Sequence, residues 1–326
     1  MNRLITNEWL KLVRKRRLLV VAFIIALLIS MFTYAQLKEA EQIRERLGTT
    51  DWRTTLQQQI IDIQNRLSGS RISDEWREEL QVRVQQYQYY LDNNINPTEP
   101  GAPTFVREFI NNSIQLFLPL MIIIVASDLV SSEYTSGTVK LLLTRPVKRW
   151  KILLSKYITL LLSVSWIVLI FAILTYLISG VVFGFSGWSA PVLTGFGVIG
   201  NELDTSNVHL VPQWKYIFMQ LGLTWFVSLI VGTISFMFSV LIKSTAAGMG
   251  IMIALLISGT ILSNMVSSWE SAKYLFMVNL ELTDYLKGDS PPIDGMSLPF
   301  SMTVLLIWGI AALIIAFAHF TRKDVY

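Results

Sequence analysis

Few side chains in this 326-residue sequence are of types that do covalent or metal chemistry. There is no cysteine, which excludes a thiol nucleophile, a zinc finger, an iron–sulfur site and a disulfide framework. The two histidines, His209 and His319, stand 110 residues apart with no H-E-x-x-H spacing around either, so no metal site is expected. No G-x-x-x-x-G-K-[ST] occurs, so the chain has no P-loop with which to cradle nucleotide phosphates. No Ser-His or paired-acid arrangement marks a membrane-embedded hydrolase. The chain is therefore expected not to be an enzyme by itself and to hold no cofactor. Chemistry of another kind is concentrated in residues 128–150, which read DLVSSEYTSGTVKLLLTRPVKRW. Val139 and Leu141–Leu143 make an apolar cluster too short to cross a bilayer, bounded by Gly137 and Pro146, which end or interrupt helices. Exposed apolar surface in water usually marks a partner. The alternative is a short amphipathic helix in the headgroup layer, its Lys and Arg on lipid phosphates.

The elements that position this stretch are membrane helices. Hydrophobic residues make up 52% of the chain and charged residues 15%, against about 25% charged in an average soluble domain. Crossing about 30 Å of hydrocarbon at 1.5 Å per residue takes about 20 apolar residues. Six runs qualify: Leu18–Ala35, Phe109–Ser127, Ile158–Phe183, Tyr216–Ile242, Thr245–Val266 and Leu298–Ala318. None contains Asp, Glu, Lys or Arg, each of which costs about 2.5–3.5 kcal/mol at mid-membrane. Charge-free spans disfavour an ion-coupled carrier. The expected fold is all-α: a polytopic membrane protein of six transmembrane helices, with an extracellular helical hairpin between the first two. In chain order this gives a cytoplasmic amphipathic helix (1–17), a first span (18–35), the hairpin (36–106) and a second span (107–128). A cytoplasmic loop (129–151), a third span (152–183) and an outer loop (184–215) follow. Spans four and five (216–242, 245–266), an outer segment (267–297), span six (298–319) and a cytoplasmic tail (320–326) complete it.

The net charge of +4 matters here through placement, and no nucleic-acid partner is expected. With the N-terminus inside, the inner segments hold a basic cluster in each of 3–17 and 140–156, plus Lys243, Arg322 and Lys323. The two short outer segments hold only Lys215, Lys273 and Lys287, so both termini are expected in the cytoplasm. In the first outer loop, Leu56, Ile60, Ile63 and Leu67 repeat every three or four residues, as do Leu80, Val84, Tyr87 and Leu91 beyond Ser68-Gly69-Ser70. That pattern predicts an antiparallel helix pair, with Ser73 as the second N-cap. It serves either as a spacer or in gating and recruitment of an outer partner.

Two further patterns bear on assembly. The N-terminal segment places Ile5, Trp9, Leu12 and Val13 on one face and Asn7, Lys11, Arg14 and Lys15 on another, as suits a helix at the membrane interface. In the fifth span, Ala246, Gly250, Ala254 and Ser258 recur every fourth residue, a small-residue stripe that lets another helix approach closely. It fits either packing within the chain or a seam between subunits.

The order of an acid, Gly-Thr, a leucine run, Arg-Pro, a basic pair and Lys156 resembles the loop after the second helix in permeases of type-2 ATP-binding cassette (ABC) exporters. The resemblance extends over the whole chain through its six helices, its inside termini and its basic N-terminal segment. It implies that the loop is a coupling helix docked in a groove of a separate nucleotide-binding subunit. Glu133, Gly137, Thr138, Leu141, Leu142, Leu143, Arg145 and Pro146 would carry that contact. It further implies two ATPase copies that bind ATP and magnesium, and a second permease copy in a homodimer or paralogous heterodimer, with the fifth helix central. The N-terminal helix would be an elbow beside the ATPase. The setting would be a bacterial inner membrane and the activity efflux, with charge-free spans favouring an apolar or amphipathic cargo such as a lipid, peptide or drug. The outer loop of about 70 residues departs from the small drug- and polysaccharide-exporting members, where it is short. A reading from another class is a sensor or scaffold whose outer hairpin recognises an envelope or peptide ligand.

Overall fold

The computed structural model describes residues 1–48, 51–69, 74–138, 147–199, 202–265, 269–289, 291–293 and 295–322. The chain is helical over most of this length. A short helix α1 (Asn2–Arg14) turns through Arg16, which is left-handed, into α2 (Arg17–Leu47). The pair α3 (Trp52–Leu67) and α4 (Asp74–Asp92) follows, then α5 (Ala102–Ser113), α6 (Phe117–Ala126) and α7 (Asp128–Thr135). Long helices α8 (Arg149–Phe183), α9 (Gln213–Leu241) and α10 (Thr245–Met265) come next. Two 3-10 turns (Glu270–Tyr274, Phe276–Val278), a single turn α11 (Asp284–Lys287) and α12 (Leu298–Arg322) complete the order. Six helical stretches are long and apolar enough to cross a bilayer: Arg17–Arg46, Phe117–Thr135, Arg149–Phe183, Gln213–Leu241, Thr245–Ser263 and Leu298–Arg322. The protein is a multi-pass membrane protein.

Each spanning helix is apolar all round, and packing selects which stripe is covered. In α2, Leu18, Val21, Ile25 and Ile29 are buried at spacings of three and four. Leu19, Val20, Phe23, Leu27 and Met31 of the same helix stay exposed, as a lipid-facing surface requires. The buried stripe meets α8, and the same core takes in Phe105, Phe109, Leu160, Ile167 and Phe171. Phe109 and Phe171 stack with ring centroids 5.4 Å apart. A second core joins α9, α10 and α12 through Val231, Ile234, Met252, Leu256 and Leu305.

The second span is not the single rod expected over Phe109–Ser127. It is broken at Ile114–Leu116, where α5 ends and α6 begins. Pro119 is the cause: it has no N–H to donate to the carbonyl of Gln115, and its ring crowds that carbonyl. Leu116 accordingly leaves the helical region (φ −124°, ψ −53°). Apolar helix resumes at Phe117 and runs, through a second irregularity at Ser127, to Thr135.

The segment between α8 and α9, expected to be loop, folds into two nested antiparallel ribbons. Strand β1 (Pro191–Thr194) pairs with β4 (His209–Pro212), and β2 (Gly197–Ile199) with β3 (Glu202–Asp204). Gly195 joins the two at φ +89°, where a Cβ would lie 2.3 Å from the Asn207 carbonyl oxygen. Helices α3 and α4 pack on each other through buried Leu56, Ile60 and Leu80. The other face of α4 lies on the ribbons: Gln85 accepts from the Leu203 N–H at 2.8 Å, and buried Gln86 donates to the Gly288 carbonyl at 3.0 Å. Phe196 is held edge-on by Tyr89. Residues 52–92, the ribbons and α11 thus form a cap on one end of the helical bundle. The expected N-cap Ser73 lies outside the described residues.

Candidate functional site

At the other end of the bundle, a set of charges is buried where α1, α7 and the start of α8 meet. Helix α8 presents Ile152, Leu153, Ser155, Lys156, Thr159 and Leu160 inward, so Lys156 enters on an otherwise apolar face. Its side chain is 1% exposed. The ammonium donates to Glu8 Oε2 at 2.7 Å, to Glu133 Oε1 at 2.7 Å and to the Leu129 carbonyl at 3.0 Å. All three of its protons are used. Lys11 closes the ring, 2.7 Å from Glu8 Oε1 and 3.0 Å from Glu133 Oε1. Two ammonium groups and two carboxylates therefore balance in charge. Burial pushes the Glu8 carboxyl up, but Lys156 and Lys11 outweigh it and hold the group below the ordinary carboxylate value. Burial likewise opposes the charge on Lys11, and Glu8 and Glu133 more than restore it, leaving its pKa raised.

One turn away, buried Asp128 binds Arg17 at 2.8 Å and Lys15 at 3.2 Å, tying the α1–α2 corner to the first residue of α7. The break at Ser127 that starts α7 is itself held by α9. Ser239 Oγ donates to the Ser127 carbonyl at 2.7 Å and accepts from the N–H groups of Val130 and Ser131 at 3.1 and 3.0 Å. Those are helix-start donors with no partner inside α7. Ser127 and Ser235 pair at 2.9 Å, and Ser131 reaches Thr245 at the start of α10 at 2.7 Å. A cavity of about 230 Å³ lies over the ring, walled by Glu8, Lys11, Lys15, Asp128, Ser132 and Glu133 among others. The ring's charges are paired, and among the described residues no three histidines or acids converge as metal ligands. The site is suited to clamping α1, α2, α7 and α8 together.

Of the residues singled out from the sequence, Glu133 is in the ring. Gly137 is left-handed at φ +70° and exposed, and Thr138 follows it at the edge of the cavity. Leu141, Leu142, Leu143, Arg145 and Pro146 lie outside the described residues. In α1, Leu12 is buried and Ile5 and Trp9 are half-buried, whereas Val13 is 46% exposed. The inward stripe runs Ile5, Glu8, Trp9, Leu12, so Glu8 takes the place the sequence reading gave to Val13. An acid at i+3 on the apolar stripe of a basic helix is the signal that could have found it. Glu8, Asp128 and Glu133 are buried although the six apolar runs are free of charge, because these acids lie outside the runs. In α10, Ala246, Gly250, Ala254 and Ser258 all face outward, and no atom lies within 4 Å of a Cβ built on Gly250. The inward face is Gly248, Met252, Leu256 and Gly259, where a Cβ on Gly259 would lie 2.5 Å from Met277.

A family model described as "Protein of unknown function (DUF2705)" matches residues 81–326. YhcI of Bacillus subtilis (strain 168), described as an uncharacterized protein, is 28% identical across 99% of this chain and 98% of its own length. YdbK of the same organism, described as an uncharacterized membrane protein, is 26% identical across 65% of this chain and 80% of its own.

Proposed function

This chain belongs to the DUF2705 family, and from that premise we propose that it is the membrane-spanning permease subunit of a type-2 ABC exporter, driven by a separate ATPase. The observation that carries this reading is the Lys156–Glu133 bridge. Helix α7, which carries Glu133, ends at Thr135, and α8, which carries Lys156, begins at Arg149, so one buried ion pair joins the two helices that flank residues 136–148. A force on that segment reaches α1 through Glu8 and Lys11, α2 through Arg17, α9 through Ser239 and α10 through Thr245. This is the linkage a coupling loop needs if a partner's closure is to bias two arrangements of the helices.

On this reading both termini and the 136–148 segment face the cytoplasm, the cap faces outward, and the membrane is the bacterial inner membrane. ATP and magnesium bind in the partner subunit, present in two copies. The exposed Ala246-Gly250-Ala254-Ser258 stripe supports a second permease copy against α10. The cargo is apolar or amphipathic. The test is recovery of the tagged full chain from native membranes in mild detergent. A nucleotide-hydrolysing companion should co-purify, and a variant with Leu141→Asp, Leu142→Asp and Leu143→Asp should reach the membrane without it. Absence of any such companion would end this reading.

A second reading, sensing, draws on the cap that α3 and α4 build over the bundle. Deleting residues 37–92 separates the two: a permease keeps its ATPase partner, and a sensor loses its response.

A further inference from the structure

Beneath the cap, at the end of the bundle away from the ion ring, is a polar cavity of about 370 Å³. Helix α10 starts at Thr245, which touches Ser131, and reaches Ser263 in the cavity wall, so about 27 Å of helix separates the two sites. The wall brings together Glu79 and Arg83 of α4, Asn111 and Gln115 around the α5–α6 break, and Asn279, Glu281, Asp284 and Lys287 of the segment before α12.

The hydrogen bonding of this wall is unequal. Its cations are committed: Arg83 lies 2.9 Å from Glu79, and Lys287 lies 3.2 Å from Asp289. Asn111 uses its Nδ2 on Asp284 at 3.1 Å. Asn279 is 2% exposed and uses its Nδ2 on the carbonyls of Lys273 and Leu275, both at 2.8 Å. The carbonyl oxygens Oδ1 of both amides are buried without a hydrogen-bond partner. Leaving one such acceptor dry costs about 1–3 kcal/mol. Beside them, among the described residues, neither Glu281 nor Asp284 forms an ion pair, and Lys287 acts on both only from a distance. Four carboxylates, Glu79, Glu281, Asp284 and Asp289, thus face two cations that are already paired, and the wall is short of positive charge. An anion would meet a surplus of carboxylates over the paired Arg83 and Lys287, and among the described residues no three carboxylates or histidines converge as metal ligands.

We propose that this cavity binds a primary alkylammonium group, which neutralises Glu281 and Asp284 beside the unpartnered Asn279 carbonyl. The volume suits one aminoalkyl arm, at the lower end of small-molecule pockets of about 300–1,000 Å³. The site stands whether or not an ATPase works the bundle.

Its pH dependence follows from the surroundings. Burial, then Asp284 and Asp289, push Glu281 up to about 7, against partial relief from Lys287 and with Glu79 adding to the rise. Burial and Asp289 push Asp284 up to about 6, opposed by Lys287 and by the Asn111 hydrogen bond, with Glu79 again adding. Glu108 of α5 acts on Lys287 from the other side. Carboxyls whose folded pKa is raised favour the folded state at low pH and lose that contribution as pH rises through the folded value. At pH 8 both carboxyls are therefore ionised, and a cation beside them offsets their charge.

The experiment is calorimetric titration and thermal unfolding of the full chain in detergent, with spermidine as a free polyamine and blocked trilysine as a basic peptide. At pH 8 at least one probe should bind saturably and raise the Tm. Whichever binds more tightly names the source of the ammonium. At pH 5.5 binding should weaken by about tenfold or more, because protons then hold the carboxylates. E281Q and D284N should each weaken binding about tenfold while raising the probe-free Tm at pH 8; E45Q, on the exposed part of α2, should change neither. Saturable binding by neither probe at pH 8, equal affinity at both pH values, or binding in E281Q and D284N as tight as in the unsubstituted chain would overturn the proposal.

Discussion

Lys156 is an ammonium group placed where only complete pairing makes burial tolerable. Removing one partner of such a cluster leaves uncompensated charge, at a cost of about 3–5 kcal/mol. Lys156→Met should therefore lower the unfolding free energy in detergent, followed by tryptophan fluorescence, by about 3–5 kcal/mol. Combining it with Glu133→Gln should recover most of the loss, because Lys11 then balances Glu8 and the remaining groups carry no net charge. A combined variant as unstable as Lys156→Met would mean that packing of the lysine stem, and not its charge, holds the junction. Half of this ring is legible from composition along the chain: Glu133 and Lys156 flank a basic, leucine-rich segment. The other half is not. Glu8 reads as one acid in a basic helix until α1 is docked on α8, and only then does its position on the apolar stripe acquire a partner.

At the scale of elements, the break at Ser127 depends on a neighbour. Ser239→Ala removes the acceptor of two buried N–H groups at once and should destabilise the fold by about 1–3 kcal/mol, measurable by the same unfolding assay. Ser239→Thr, which keeps an oxygen, should lose less. A neutral Ser239→Ala would show that α7 finds its caps elsewhere. The six spans are readable because lipid admits only long apolar helices, and the observed ends fall within a few residues of the expected ones for α9, α10 and the start of α12. Less regular features escape periodicity. Pro119 interrupts a run that hydropathy alone scores as continuous, and the ribbons of 191–212 are short strands whose pairing is fixed by contacts with α4 and α11.

For the whole molecule, α10 offers a comparison between two glycines on opposite faces. Gly259→Leu drives a side chain into Met277, and overpacking of this kind costs about 1–3 kcal/mol, so the monomer itself should be destabilised. Gly250→Leu meets nothing in the chain and should leave monomer stability within about 0.5 kcal/mol of wild type. If a second copy docks on this stripe, Gly250→Leu should abolish the dimer seen by cross-linking in membranes. An undiminished dimer would move the seam elsewhere. The geometry of α2 adds a mechanical consequence. Its 31 residues make a rod of about 46 Å, some 16 Å longer than the hydrocarbon it crosses. Its foot is bolted to Asp128 by Arg17, and its far end leads into α3. A lean of about 5° at the foot would carry the tip about 4 Å sideways. The rod is thus a lever, and a tug too slight to unseat the ion ring could still swing the distant canopy.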